Sequence, residues 1–131
     1  QLSKLDKLIQ MRKDNANYLS SRLQKHSKLQ PPSPPDSINH IYQMYTVRLS
    51  SKTIRDDYHK YLLNNGIFSK VYFHPIHLMK FYKENFGDYH LPNTLNVSET
   101  ILTLPLYPNM TDDEKNYIID TTNEFFEDYE K

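Results

Sequence analysis

Apolar residues recur along the first 27 positions at mixed three- and four-residue steps, as Leu2, Leu5, Ile9, Ala16, Leu19 and Leu23, which predicts one helix with a single apolar face. The run Gln30-Pro31-Pro32-Ser33-Pro34-Pro35-Asp36 cannot continue it, because proline lacks the amide donor and clashes with the preceding turn. A short extended connector is the reading there. Residues 42–49 then alternate, placing Tyr45, Val47 and Leu49 on one side of a strand. Thr53 opens a second helix with Asp56 as its capping-box partner and Ile54, Tyr58, Tyr61 and Leu62 on its apolar side. Asn64-Asn65-Gly66 is a helix stop, since glycine accepts the left-handed conformation.

A second strand is predicted at residues 67–73, ended by Pro75, followed by one or two helical turns between His77 and Phe86 that finish near Gly87. Residues 91–100 read as a further helix opened at Pro92. Ile101 to Leu104 reads as a third strand, stopped by Pro105 and Pro108. Thr111-Asp112-Asp113-Glu114 is a capping box with acidic residues at a helix start, and the last helix is predicted to bury Tyr117, Ile118, Thr121 and Phe125. The order implies an α+β domain, a small and mainly antiparallel sheet of about three strands covered by helices. No internal repeat is visible.

Composition narrows the functional classes. A chain of 131 residues makes one domain able to bury roughly two thirds of its surface, and 37% hydrophobic with 24% charged residues is the balance of a globular protein. Sixteen basic residues offset sixteen acidic ones, with no basic run, so the phosphate-neutralising patch of a nucleic-acid binder is missing. The absence of cysteine removes disulfides and thiolate chemistry and fits a reducing compartment. No stretch approaches the roughly 20 apolar residues that span a bilayer, and no signal-peptide core opens the chain, so a cytoplasmic location is the default expectation. The sequence starts at Gln1 inside a helical pattern without an N-cap, which reads as a piece with more sequence upstream. Two isolated glycines, Gly66 and Gly87, cannot build a P-loop or a dinucleotide fingerprint.

The conspicuous polar cluster is His74-Pro75-Ile76-His77, flanked by Tyr72, Phe73, Phe81 and Tyr82. Two histidines three apart could share a metal, but a zinc site needs about three or four ligands, and the spacing nominates neither His40, His59 nor a carboxylate as the next. A plain strand-to-helix loop and a ligand pocket are the other readings of these histidines. His40 stands just ahead of the strand and poses the same choice. Lys70 is a Schiff-base candidate only if buried, and the alternation places it on the solvent side with Phe68 and Tyr72. Asp56-Asp57 and Asp112-Asp113 sit at helix starts, where capping explains them, and no Gly-x-Ser-x-Gly elbow exists. These residues by themselves contain no complete active site.

Four segments in order carry a resemblance. Gln1-Leu2-Ser3-Lys4-Leu5-Asp6-Lys7-Leu8-Ile9 with Arg12 and Asn15, His40-Ile41-Tyr42-Gln43-Met44-Tyr45-Thr46-Val47-Arg48, Tyr72-Phe73-His74-Pro75-Ile76-His77-Leu78-Met79-Lys80-Phe81-Tyr82, and Leu104-Pro105-Leu106-Tyr107-Pro108-Asn109-Met110-Thr111 together resemble the C-terminal small domain of the DegT/DnrJ/StrS-type sugar aminotransferases. These are fold-type I enzymes dependent on pyridoxal phosphate. The resemblance implies that residues 1–27 form an interdomain helix. It implies that the lysine-bearing, cofactor-binding large domain lies outside this chain, and that the fragment alone is inactive. The implied reaction moves an amino group from glutamate to a keto nucleotide-sugar, in amino-deoxysugar or cell-surface polysaccharide biosynthesis, in a homodimer. His40, Tyr42, His74 and His77, and also Tyr72, are then expected to face the sugar nucleotide, with no catalytic or cofactor-binding residue in this chain. The sequence departs from the usual family pattern at Asn64-Asn65-Gly66-Ile67-Phe68-Ser69 and has few alanines between His90 and Thr100. A stand-alone, non-catalytic binding module of the same fold is the alternative.

Overall fold

The computed structural model describes residues 2–129. A 3-10 turn at Leu2–Lys4 leads into α1 (Leu5–Leu23), followed by β1 (Leu29–Gln30), β2 (Tyr45–Leu49), α2 (Lys52–Asn64), a 3-10 turn at Ile76–Leu78, α3 (Lys80–Phe86), α4 (Pro92–Thr100), β3 (Ile101–Leu104) and α5 (Asp112–Tyr129). The sheet is antiparallel in the order β1-β2-β3. α1 packs on α5, and α2 packs on α5, α4 and both longer strands. The α+β architecture expected from the sequence is the observed one, with three strands.

Strand membership differs from the expectation. In β2, Tyr45, Val47 and Leu49 are buried as the alternation demands, opposite Leu104, Leu102 and Leu29 respectively. The strand starts at Tyr45 rather than Tyr42, because Tyr42 lies at φ 48, in the left-handed region, and breaks the extended run. Residues 67–73 do not form a strand. Ser69 satisfies its amide on the carbonyl of Ile67 at 3.0 Å, a turn too tight for a ladder, so only Lys70 bridges to Thr103. The third strand is β1, hidden beside the prolines and paired with the far end of β2.

The helices follow their local signals more closely. Ser51, not Thr53, caps α2, its hydroxyl accepting from the amide of Ile54 at 3.2 Å. Asp56 pairs instead with Lys52 and with the buried Arg55. The helix stops where expected, with Gly66 at φ 73. α5 opens with both halves of the capping box made: the Glu114 amide donates to the Thr111 hydroxyl at 3.2 Å, and the Thr111 amide donates to the Glu114 carboxylate at 2.8 Å. Ile118, Thr121 and Phe125 are buried, but Tyr117 is 52% exposed and hands its hydroxyl proton to the Asn65 carbonyl. The inward positions are Thr122 and Phe126, which close the core against Tyr58 and His26. In α1 only the C-terminal half is covered: Asn15, Ala16, Leu19 and Leu23 are buried, whereas Leu5 and Leu8, like Leu2 in the preceding turn, are exposed.

Candidate functional site

Between residues 73 and 101 the chain folds around an apolar cleft of about 760 Å³. One wall is the loop carrying Phe73, His74 and His77, a second is the end of α3 with Tyr82 and Phe86, and a third is α4 with Val97. Pro75 forces the loop into a 3-10 turn, which sets His74 and His77 on one rim. Neither that turn nor α3 buries a single side chain. Large apolar groups normally sit inside, yet Phe73 is 69% and Phe86 61% exposed here. His77 Nε2 is covered and lacks a hydrogen-bond partner among the described residues, at a cost of about 1–3 kcal/mol.

The five residues expected to face a ligand do not converge. His74 and His77 share the cleft. His40 and Tyr42 lie together by a separate groove bounded by Lys13 and Asn17 of α1 and by the proline segment. There the Tyr42 amide donates to His40 Nδ1 at 3.2 Å, and the two rings meet edge to face with centroids 4.4 Å apart. Tyr72 lines neither space; its ring leans on Phe73, and the Lys70 ammonium lies 5.8 Å from its centroid. No hydrogen bond or ring contact joins the two histidine groups among the described residues.

Two side chains that the sequence reading left without a role tie α1 to the segments that enter β2 and leave β3. Arg12 Nη1 donates to the carbonyls of Tyr42, Gln43 and Leu106 at 3.1, 3.3 and 3.2 Å. Asn15, one turn further on, donates to Tyr107 and Pro108 at 2.9 and 3.1 Å. The available signal was a polar pair three residues apart on the face that also carries Ala16 and Leu19.

No group of three or more His, Asp or Glu side chains is arranged to hold a metal among the described residues. Nor, among the described residues, is there a buried and unpaired lysine to seat pyridoxal phosphate. Lys70 is exposed, as its position in the alternation predicts, and Lys115 is buried but engaged with Asp112 at 2.7 Å and with the Tyr18 ring. The residues present do not fit that cofactor. Away from the clefts, hydrogen bonds from Tyr107 and then from the Thr111 amide hold the Glu114 carboxyl below its ordinary range. The same contact with Glu114 raises the Tyr107 phenol.

The antiparallel three-stranded sheet under five α-helices is the fold this chain shares with solved sugar-aminotransferase structures. The chain belongs to the DegT/DnrJ/EryC1/StrS aminotransferase family, whose profile matches residues 1–123. It is 26% identical to the spore coat polysaccharide biosynthesis protein SpsC of Bacillus subtilis (strain 168), over 95% of this chain and 33% of the relative. Spr1654 of Streptococcus pneumoniae, assigned as a sugar aminotransferase and solved in its PLP-form, superposes with a TM-score of 0.85 at 28% identity, over 98% of this chain and 33% of that one. The aminotransferase TlmJ of Streptoalloteichus hindustanus shares the fold, with a TM-score of 0.91 at 23% identity over 100% of this chain and 35% of that one. The chain thus spans about a third of the length of these relatives. No described helix is long and apolar enough to cross a membrane.

Proposed function

We propose that this chain is the small domain of a pyridoxal-phosphate-dependent sugar aminotransferase, and that it closes one side of the cleft in which a keto nucleotide-sugar accepts an amino group from glutamate. Family membership across residues 1–123 carries the reading, supported by the likeness to Spr1654 in its PLP-form. The cofactor belongs to the remaining two thirds of a longer polypeptide, acting as a homodimer. When bound there, pyridoxal phosphate supplies the electron sink for amino transfer.

This chain's own contribution is binding and exclusion of water. A cleft of about 760 Å³ is within the usual span of small-molecule sites, which pair apolar walls with a few polar groups. Phe73, Tyr82 and Phe86 keep water from the sugar-nucleotide, and the imidazoles of His74 and His77, the latter through Nδ1 because its Nε2 is covered, offer hydrogen bonds to its hydroxyl or phosphate oxygens. His40 and Tyr42 present a second polar corner from the groove beside α1. The product serves amino-deoxysugar or cell-surface polysaccharide biosynthesis.

The test is to read the coding frame upstream of Gln1, express the full-length protein, and follow glutamate-dependent amino transfer to keto nucleotide-sugars by mass spectrometry. An amino-sugar product supports the proposal. A frame without a cofactor domain, or a full-length protein inert toward a panel of such sugars, overturns it in favour of a binding module.

A further inference from the structure

We infer that Arg12 is a positioning residue that sets the orientation of His40 for the nucleotide-sugar; the inference rests on the sugar-aminotransferase reading proposed above. β2 and β3 are antiparallel neighbours with Tyr45 opposite Leu104, so the chain entering β2 and the chain leaving β3 emerge at the same end of the sheet. One guanidinium nitrogen of Arg12 joins both, through Tyr42 and Gln43 on one side and Leu106 on the other. Arg12 forms no ion pair with a carboxylate among the described residues, and these three acceptors are all backbone carbonyls. Its charge is used for geometry, not for neutralisation.

The geometry reaches His40 through the backbone. In an extended strand successive carbonyls point to opposite sides, so Tyr42 and Gln43 can present theirs to one nitrogen only when Tyr42 leaves that conformation. Tyr42 does so at φ 48, a region that non-glycine residues occupy only where surrounding contacts hold them. The same turn aims the Tyr42 amide at His40 Nδ1 and seats the two rings edge to face. With Nδ1 accepting, the neutral imidazole carries its proton on Nε2, which makes that nitrogen a donor suited to a sugar hydroxyl or phosphate oxygen. Lysine does not reproduce the arrangement, since its side chain is one atom shorter and its ammonium stops short of the position from which Arg12 Nη1 reaches all three carbonyls.

Steady-state kinetics of the full-length protein, parent against Arg12→Lys and Arg12→Gln, tests this with each substrate varied separately. The expected result is a rise of roughly tenfold in KM for the keto nucleotide-sugar, the scale of one charge-assisted hydrogen bond, with KM for the amino donor moved by less than about twofold. A residue that merely holds the fold would reduce the active fraction and lower kcat alike for both substrates, and that outcome overturns the inference. NMR of histidine-labelled protein gives a readout free of turnover. The parent should show His40 with an unprotonated Nδ1, and Arg12→Lys should convert it to mixed tautomers, while His26, bound through Nε2 to Asn123 on α5, stays unchanged as the folding control. An unaltered His40 signal in Arg12→Lys overturns the positioning role. Should the parent transfer no amino group to any keto sugar, the functional reading falls, and the His40 spectra still decide whether Arg12 governs that side chain.

Discussion

The buried pair Tyr58–Thr122 allows a prediction with a definite sign and size. Tyr58 on α2 is fully buried, and its hydroxyl lies 2.7 Å from Thr122 Oγ1 on α5. Thr122 in turn gives its proton to the Ile118 carbonyl at 2.6 Å, so Tyr58 is the donor and Thr122 the acceptor of their shared bond. Tyr58→Phe removes a donor and leaves Thr122 with its own acceptor intact, for a loss of about 1 kcal/mol. Thr122→Val keeps volume and helix propensity but strands the Tyr58 O–H in an apolar interior, for a loss of about 2 kcal/mol. The double variant removes both groups and so avoids the stranded donor. It should lose about 1 kcal/mol, against about 3 kcal/mol for the two single losses added. Urea unfolding followed by circular dichroism measures all four proteins, with equal slopes required for the comparison. Additivity within about 0.5 kcal/mol, or Tyr58→Phe as the most damaging change, would refute the assigned bond direction.

Further predictions concern titration, capping and the cleft. Burial raises the phenols of Tyr45 and Tyr58 above the ordinary tyrosine value, outweighing their hydrogen bonds to Ser20 and Thr122. Their protonated forms therefore cost the fold nothing below about pH 10, and stability should fall above it by up to about 1.4 kcal/mol per pH unit for each phenol as only the unfolded chain ionises. Denaturation midpoints that stay flat through that alkaline range would contradict this. Thr111→Ala should cost about 1 kcal/mol by opening the capping box of α5, read as a lower urea midpoint, and an unchanged midpoint would deny the cap any role. In the full-length protein, His77→Ala should lower kcat/KM for the sugar about tenfold without lowering stability, because the 3-10 turn carrying it buries no side chain and the change removes the unpartnered Nε2; intact kinetics with a lowered melting temperature would make His77 structural.

The sequence spoke most clearly where the determinants are local. Thr111 and Glu114, Pro92 at the start of α4, and Gly66 after α2 act within a turn of themselves, and each does in the fold what its residue type demands. β1 escaped notice because two residues beside a proline carry no periodicity, and only the far end of β2 makes them a strand. Residues 67–73 misled for the converse reason: the alternation holds only at Ile67 and Ser69, which are buried, while Val71 and Phe73 are exposed, and a local turn absorbs the amide that a ladder needs. At the site, the aromatic and proline flanks of His74 and His77 were legible in the sequence, and the two histidines line one cleft. That His40 and Tyr42 belong to another groove, and that Arg12 on a distant helix holds them, depends on sequence separations of 30 to 94 residues that no local pattern encodes.

Hydrogen exchange of the full-length protein, with and without a keto nucleotide-sugar, addresses the central claim most directly. Binding at the cleft predicts slowed exchange across residues 73–98, where no side chain of the 3-10 turn or α3 is otherwise buried, together with residues 40–43. Protection confined to other parts of the protein, with these segments unchanged, would mean that the sugar binds elsewhere and that this domain does not face it.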